Sequence, residues 1–198
     1  NSLPKKEMIC GYAEILKHAL IKDEKFFKWL ETNSKYVLSK NFNKLTYAIT
    51  KSCKIKIFFV NKDVDEKNIR MSLNFGHTFA HAIEIKNNYS KKLTHGEAVL
   101  SGIILATRLS IIKKVCNLKI LERIQKIYVN NNLSYIFKKF NKAHEIKSLI
   151  PYLKNDKKNN DKKINFILLK KIGQTTKPNS CKISINKVKQ YSKLIAQY

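Results

Sequence analysis

The sequence lacks several features that would assign a chain to a class at once. It contains no run that we read as long enough and apolar enough to span a bilayer, and residues 1–7 do not resemble a signal peptide. It has no initiator methionine, no internal repeat, no glycine-rich dinucleotide fingerprint and no P-loop. These absences predict a cytoplasmic protein without a membrane partner, and a segment that begins in the middle of a longer protein.

Arginine is scarce as well. Apart from Arg70, Arg108 and Arg123, every basic residue is a lysine, although the formal net charge is +26. Proteins that bind nucleic acid more often cluster arginines on one face, whereas these lysines are spread along the chain among many Asn and Ile residues. An AT-rich coding sequence would drift towards that mixture. We therefore expect no specific nucleic-acid partner, and keep a basic helical nucleic-acid-binding module as the alternative from a different class.

Cysteines are few and far apart, and none forms a C-x-x-C pair. Their spacing does not favour a four-cysteine zinc site. In a lysine-rich chain without a secretory segment, we expect four reduced, mostly buried thiols. They are Cys10, Cys53, Cys116 and Cys181.

Hydrophobic periodicity predicts a mainly α-helical fold. With 198 residues, 43% of them hydrophobic, the chain can bury the core of one domain covering residues 1–198. Residues 96–112 are apolar nearly all round, which predicts the central buried helix. The other predicted helices cover about residues 5–20, 23–32, 36–39, 42–61, 69–86, 118–131, 143–150 and 186–196.

Three local features complete this prediction. Residues 33–34 are predicted to separate two helices, and Pro151 is predicted to end one. Gly76 falls inside the predicted helix 69–86, where it suggests close approach of another backbone or of a ligand, with a packing reason as the equal alternative. Residues 164–172 and 181–185 are predicted to pair as a small β-hairpin near the C-terminus.

The strongest chemical signal is a group of histidines. His77 and His81 are four residues apart, so on a helix they share one face, and His95 begins the apolar run that follows. Spacing alone suggests all three as ligands of one divalent metal. The pair lacks the glutamate of an H-E-x-x-H motif, so it does not indicate a zinc protease.

Three separated motifs together resemble the 3-dehydroquinate synthase family. Residues 74–84 read NFGHTFAHAIE, residues 95–98 read HGEA, and residues 11–17 read GYAEILK. Lys56, Glu66 and Arg70 stand in the matching register before the first motif, and residues 156–158 and 171–173 resemble the family's tail. The resemblance implies a multi-helix C-terminal domain of that family, with its dinucleotide-binding domain N-terminal to this segment.

The resemblance implies a different ligand set from the one that spacing suggests. Zinc, or cobalt in its place, would be held by Glu14, His77 and His95. His81 would not be a ligand but would serve proton transfer and contact the phosphate, which makes His81 and Lys17 the expected catalytic residues. The expected substrate-binding residues are Lys17, Lys56, Arg70, Asn74, His81, Lys157 and Lys158, where the choice between the last two stays open.

The implied reaction is the shikimate-pathway conversion of DAHP to 3-dehydroquinate and phosphate. It runs through transient oxidation by NAD, phosphate elimination, ring opening and aldol closure. A Glu, two neutral His and open coordination positions suit a catalytic site, and lysines with Arg70 suit a substrate that carries carboxylate and phosphate. The full enzyme is expected to be a homodimer. This segment alone is expected to bind metal at best and to be inactive without the dinucleotide-binding domain.

Two departures from the family pattern and three alternatives remain. Ala80 replaces the usual glycine between the paired histidines, and His18 stands where a tyrosine is common, so we assign His18 no role.

Another sugar-phosphate cyclase, or a metal-dependent polyol dehydrogenase of the same architecture, is the nearest alternative. Arg70 and Lys56 favour the carboxylate-bearing substrate. A non-catalytic remnant is a further alternative, against which the intact set of site residues weighs.

Overall fold

The computed structural model describes residues 2–90, 93–153 and 163–198, and these residues form a helical domain with two short β-ladders. The prediction of a mainly α fold is confirmed. The α-helices are α1 (Lys5–Lys22), α2 (Glu24–Leu38), α3 (Phe42–Lys62), α4 (His77–Lys86), α5 (His95–Ile112), α6 (Leu118–Asn130), α7 (Tyr135–Lys138), α8 (Ala143–Lys147), α9 (Ile150–Leu153) and α10 (Ile185–Gln197). The strands are β1 (Lys163–Asn165), β2 (Leu169–Lys171), β3 (Gln174–Thr175) and β4 (Lys182–Ser184).

Helix α5 is the centre of the core, as its all-round apolar sequence predicts. Its residues from Ala98 to Leu105 are almost completely shielded from solvent, and α1, α4, α6 and α10 pack around it. By length and composition it could cross a membrane, so the expectation that no run is long enough was wrong. However, 78% of that window is buried inside the fold, as expected for a core helix.

Helices α1 to α3 form the N-terminal part of the domain. The predicted break at residues 33–34 is wrong, because α2 runs through it. The hydroxyl of Ser34 donates to the carbonyl of Leu30, and Asn33 donates to the carbonyl of Trp29. These side chains therefore bond within the helix instead of drawing the backbone out of it.

The predicted helix 69–86 is in fact two elements. A 3₁₀ helix covers Ile69–Asn74, and α4 begins only at His77. Gly76 lies between them with φ +81°, in the left-handed region that glycine favours. A side chain here would also place its Cβ 2.9 Å from the backbone nitrogen of Ile103, so the predicted close approach of another backbone is confirmed.

The C-terminal strands only partly follow the prediction. The predicted strand 164–172 is two strands: β1 pairs antiparallel with β4, and β2 pairs antiparallel with β3. Residues 166–168 between them are buried and belong to neither strand, although Phe166 N donates to the Cys181 carbonyl and Thr176 N donates to the Leu168 carbonyl. Because all three are apolar, the sequence carries no signal that separates the two strands.

Two further expectations need correction. Pro151 does not end a helix but lies in the first turn of α9, where its missing N–H costs nothing. All four cysteines are free thiols as expected, but Cys53 is exposed and the other three are only partly buried.

Candidate metal centre and substrate-binding residues

Three side chains from three different helices converge on one point. Glu14 comes from the middle of α1, His77 from the first residue of α4 and His95 from the first residue of α5. One ligand atom from each lies within 4.8 Å of the others. This is the set that the resemblance implied, and not the set of three histidines that spacing suggested.

Close backbone contacts fix the positions of these helices. A Cβ on Gly96 would lie 2.3 Å from the Cα of Cys10, so α1 and α5 touch where Glu14 and His95 must meet. A Cβ on Gly102 would lie 2.1 Å from the carbonyl oxygen of Gly76, so α4 and α5 touch beside His77. Only glycine allows backbones this close, and the helices therefore bring their ligands together rigidly.

Hydrogen bonds orient both imidazoles towards the shared point. The Nδ1 of His77 lies 3.4 Å from the Phe75 carbonyl, and the Nδ1 of His95 lies 2.9 Å from Oε1 of Glu84. A carbonyl oxygen and a carboxylate accept hydrogen bonds, so both rings carry their proton on Nδ1 when neutral. Each ring keeps the lone pair on Nε2 for a metal.

The carboxylate of Glu14 is held ionised by Lys17. Burial alone would raise the pKa of Glu14, but the charge and the 2.6 Å hydrogen bond of Lys17 hold it below its usual value. Lys17 is 3% exposed, so this contact is not the surface ion pair that its spacing suggests. Burial, together with the nearby Lys17 charge, lowers the pKa of His77 to about 3, which keeps the ring neutral.

These residues fit a divalent metal ion. Lys17 occupies Oε2 of Glu14, whereas Oε1 is buried without a hydrogen-bond partner among the described residues and lies 3.6 Å from Nε2 of His77. A buried carboxylate oxygen without a partner is costly unless a cation fills the space. One carboxylate and two neutral imidazoles form the donor set of a catalytic zinc site with open positions.

His81 lies beside this group but is not part of it. Its ring is one turn along α4 from His77, with the two ring centroids 5.6 Å apart, and the residue is exposed. It therefore lies next to the candidate ligands without belonging to their group.

The other predicted substrate residues lie on two segments of the chain, α3 and the stretch before α4. Lys56, on α3, is exposed, and its charge adds to burial in lowering the pKa of Lys17. Arg70 donates from Nη1 to the Val64 carbonyl at 2.6 Å, and Asn74 donates to Glu66 at 2.8 Å. Both therefore lie in the segment that leads into His77.

The predicted phosphate-binding lysines, Lys157 and Lys158, lie outside the described residues.

Two residues without a predicted role support the site: His18 and Asp63. The Nδ1 of His18 bonds Ser52 at 2.7 Å, and its Nε2 lies 3.9 Å from Glu14. The sequence signal that could have indicated this contact is that His18 lies four residues after Glu14 on α1. Asp63, one of several charged residues that follow α3, gave no such signal.

Comparison with known families agrees with this geometry. The family model described as 3-dehydroquinate synthase C-terminal matches residues 11–159. A 3-dehydroquinate synthase from Pelagibacter ubique is 46% identical over 173 residues, which are 87% of this chain and 47% of that protein. The chain belongs to the 3-dehydroquinate synthase C-terminal domain family. A second relative, from Dictyoglomus turgidum, is 40% identical over 88% of this chain and 47% of its own length.

Solved structures share the fold of this 3-dehydroquinate synthase domain. The 2-epi-5-epi-valiolone synthase of Streptomyces hygroscopicus, solved with NAD⁺ and Zn²⁺, superposes with a TM-score of 0.75 at 19% identity, over 99% of this chain and 53% of that one. A 2-deoxy-scyllo-inosose synthase, solved with carbaglucose-6-phosphate, NAD⁺ and Co²⁺, superposes with a TM-score of 0.71 at 20% identity. The match covers 97% of this chain and 53% of that one. The domain therefore spans about half the length of the proteins it matches.

Proposed function

We propose that this domain is the metal- and substrate-binding half of a 3-dehydroquinate synthase, a carbon–oxygen lyase that converts DAHP to 3-dehydroquinate and phosphate in aromatic amino-acid biosynthesis. One observation carries the proposal: Glu14, His77 and His95 converge within 4.8 Å around a buried carboxylate oxygen that has no described partner. Relatives of that name at up to 46% identity support the choice of reaction.

Glu14, His77 and His95 would hold zinc or cobalt through one carboxylate oxygen and two Nε2 atoms. A bound ion would supply Lewis-acid activation of substrate hydroxyls, and NAD would supply the transient oxidation of one of them. The chain's own contribution is to keep the His77 ring neutral and the Glu14 carboxylate ionised near neutral pH, as the lowered pKa values of both groups favour.

The surrounding cations would bind the two acidic groups of the substrate. Arg70 presents a planar guanidinium that suits a carboxylate, and Lys56, whose charge reaches Lys17, adds a second cation. Lys17 is fixed against Glu14, so its ammonium group can hold a substrate oxygen next to the ligand set. His81 is exposed and one turn from His77, so it would move a proton between substrate and phosphate leaving group.

The remaining parts of the reaction would come from outside this domain. We propose that an NAD-binding domain works with it, since the chain spans about half the length of its relatives. We also propose a homodimeric, cytoplasmic enzyme.

Within this domain, Asn74 would contact a substrate hydroxyl, and Lys157 or Lys158 would reach the phosphate.

Another sugar-phosphate cyclase is the second candidate, because the solved structures that share this fold are named as a 2-epi-5-epi-valiolone synthase and a 2-deoxy-scyllo-inosose synthase. Their identities are 19% and 20%, well below those of the 3-dehydroquinate synthase relatives. Assaying the full-length protein with DAHP and with sedoheptulose phosphate separates the two. Turnover of the second substrate alone would contradict the proposed reaction.

Metal content tests the site directly. The purified protein should contain about one zinc or cobalt per chain by elemental analysis, and Glu14→Ala should remove most of it. Glu7→Ala is the matched control, because Glu7 is an exposed glutamate on the same helix. Unchanged metal content in Glu14→Ala would exclude Glu14 from the site, and salt-sensitive binding of DNA without bound metal would favour the nucleic-acid alternative.

A further inference from the structure

Glu84 makes a direct contact with one member of the converging group. Its Oε1 lies 2.9 Å from Nδ1 of His95, within hydrogen-bond distance. The Glu84 side chain is only 15% exposed, whereas the His95 side chain is 48% exposed at the first residue of α5. A well-packed carboxylate therefore anchors a ring that solvent would otherwise leave free to rotate.

The register of α4 explains how this contact arises. His77, His81 and Glu84 follow one another at intervals of four and three residues, so they share one face of the helix. His95 crosses that face from α5, with its ring centroid 5.8 Å from that of His77. One helix therefore carries both a candidate ligand and the group that holds the ligand of its neighbour.

The chemistry of this contact is directional. A carboxylate only accepts, so it fixes the proton of the neutral His95 ring on Nδ1 and leaves the lone pair on Nε2. The negative charge also makes the ring a stronger donor towards a cation. Loss of the carboxylate would free both the rotation of the ring and its choice of tautomer.

We propose that Glu84 is the positioning residue of the metal centre: it orients His95 through Nδ1 and thereby sets the affinity for the divalent ion. This inference rests on the proposed function, since it needs a metal held by Glu14, His77 and His95. Glu84 does not contact the ion itself, and it acts only through His95. Outer carboxylates of this kind typically change metal affinity by about 10- to 100-fold when they are removed.

Zinc affinity of the metal-free protein, measured by competition with a chromophoric chelator, tests the proposal. Glu84→Ala should bind zinc about 10- to 100-fold more weakly than the wild type. Glu84→Gln should lie between the two, because its amide oxygen still accepts from Nδ1 but carries no charge. The cobalt-substituted proteins should show a changed visible absorption in the same order.

Glu145→Gln is the matched control. Glu145 is a similarly half-buried glutamate whose bond of 3.1 Å to Lys86 also anchors α4, but it does not touch the converging group. The variant Glu145→Gln should lower the thermal stability of the protein without changing its zinc affinity. Equal zinc affinity in the wild type and Glu84→Ala would overturn the inference and leave the proposed metal site intact, whereas a wild type that binds no zinc would overturn the proposed site as well.

A second measurement needs no variant. Long-range ¹H–¹⁵N NMR of the metal-free wild type at pH 8 should show the His95 ring with its proton on Nδ1. An Nε2–H tautomer would contradict the proposed contact even if Glu84→Ala does not fold.

Discussion

The buried Lys17 and the half-buried Glu14 form a pair in which Lys17 bonds one carboxylate oxygen and the other oxygen is shielded from solvent without a described hydrogen-bond partner. The Lys17 Nζ lies 2.6 Å from Oε2, whereas Oε1 faces Nε2 of His77 at 3.6 Å. The lysine therefore favours the charged form of a candidate metal ligand without occupying its free oxygen. If Glu14 binds the proposed metal, that binding depends on a neighbouring cation.

Replacing Lys17 with methionine should make metal binding fail at a higher pH. The lysine charge lowers the pKa of both Glu14 and His77, so its loss raises both and lets protons compete better with the metal. The zinc affinity of Lys17→Met should fall more steeply between pH 7.5 and 5.5 than that of the wild type. Lys5→Met, an exposed substitution on the same helix, should follow the wild type. An unchanged pH profile would show that Lys17 does not control the ligands.

Adding a methyl group at Gly96 should separate two of the ligand-bearing helices. Its Cβ would lie 2.3 Å from Cα and 2.8 Å from N of Cys10, both of which are backbone atoms that cannot give way. We expect Gly96→Ala to lower the free energy of unfolding by about 3 kcal/mol or more and to weaken zinc binding. Gly11→Ala is the control, since nothing lies within 4 Å of its Cβ, and it should stabilise α1 by up to about 1 kcal/mol. Equal stability of the two variants in urea unfolding would contradict this contact.

The buried His18 should make the metal-free protein less stable in acid. Burial, with help from Lys17, lowers its pKa to about 4, whereas the unfolded chain titrates near 6.5. Between these values the unfolded state binds the proton and the folded state does not, so stability is complete above pH 6.5 and falls as the pH drops towards 4.

His18→Asn tests this pH dependence, since its amide can still reach Ser52 while it does not titrate. Each titrating group contributes a slope of about 1.4 kcal/mol per pH unit in that range. Urea unfolding at pH 7.5, 6.5, 5.5 and 4.5 should therefore give a flatter dependence for His18→Asn than for the wild type. Parallel curves would mean that His18 gains its proton in the folded protein as easily as in the unfolded chain.

The sequence predicted which three side chains converge, because each of these candidate ligands lies in a motif that forms a helix in the structure. Glu14 lies on a regular helix, and His77 and His95 each begin one, so spacing and resemblance translate directly into position. The helix boundary at Gly76 was missed for a physical reason: Met71, Phe75 and Phe79 continue a four-residue apolar spacing across the left-handed turn. Periodicity reports which residues face the core, and it does not report the backbone angle at a single glycine.

The supporting contacts were harder to predict than the ligands. Glu84 shares a helical face with His77 and could have been found by counting seven residues along α4. The burial of Lys17 could not have been predicted from the sequence. A Glu–Lys spacing of three is typical of surfaces, and only the packing of α1 in the fold buries the lysine. Likewise, Asp63 is one of several charged residues in a polar connector, and its role depends on the way that connector folds back.

Asp63 organises the segment that leads to the substrate-binding residues. Its carboxylate accepts hydrogen bonds from the backbone N–H groups of Lys67, Asn68 and Arg70, at 3.0, 2.7 and 3.0 Å. Burial would raise the pKa of this carboxyl, but the three amides keep it below its usual range. The acceptor is therefore ionised at neutral pH, and it fixes the backbone from which Arg70 extends.

Replacing Asp63 with alanine should loosen Arg70 and Asn74 without touching the metal ligands. In the full-length enzyme we expect the KM for DAHP to rise about tenfold, with a smaller change in kcat, because we propose that Arg70 and Asn74 bind the substrate and take no part in proton transfer. Zinc content should stay at the wild-type level. Asp65→Ala provides the control, since the carboxylate of this exposed neighbour pairs with the Lys67 ammonium group at 3.1 Å, and its loss should leave KM unchanged. A loss of zinc in Asp63→Ala would instead place the segment in support of His77, and equal KM values for the two variants would remove Asp63 from substrate binding.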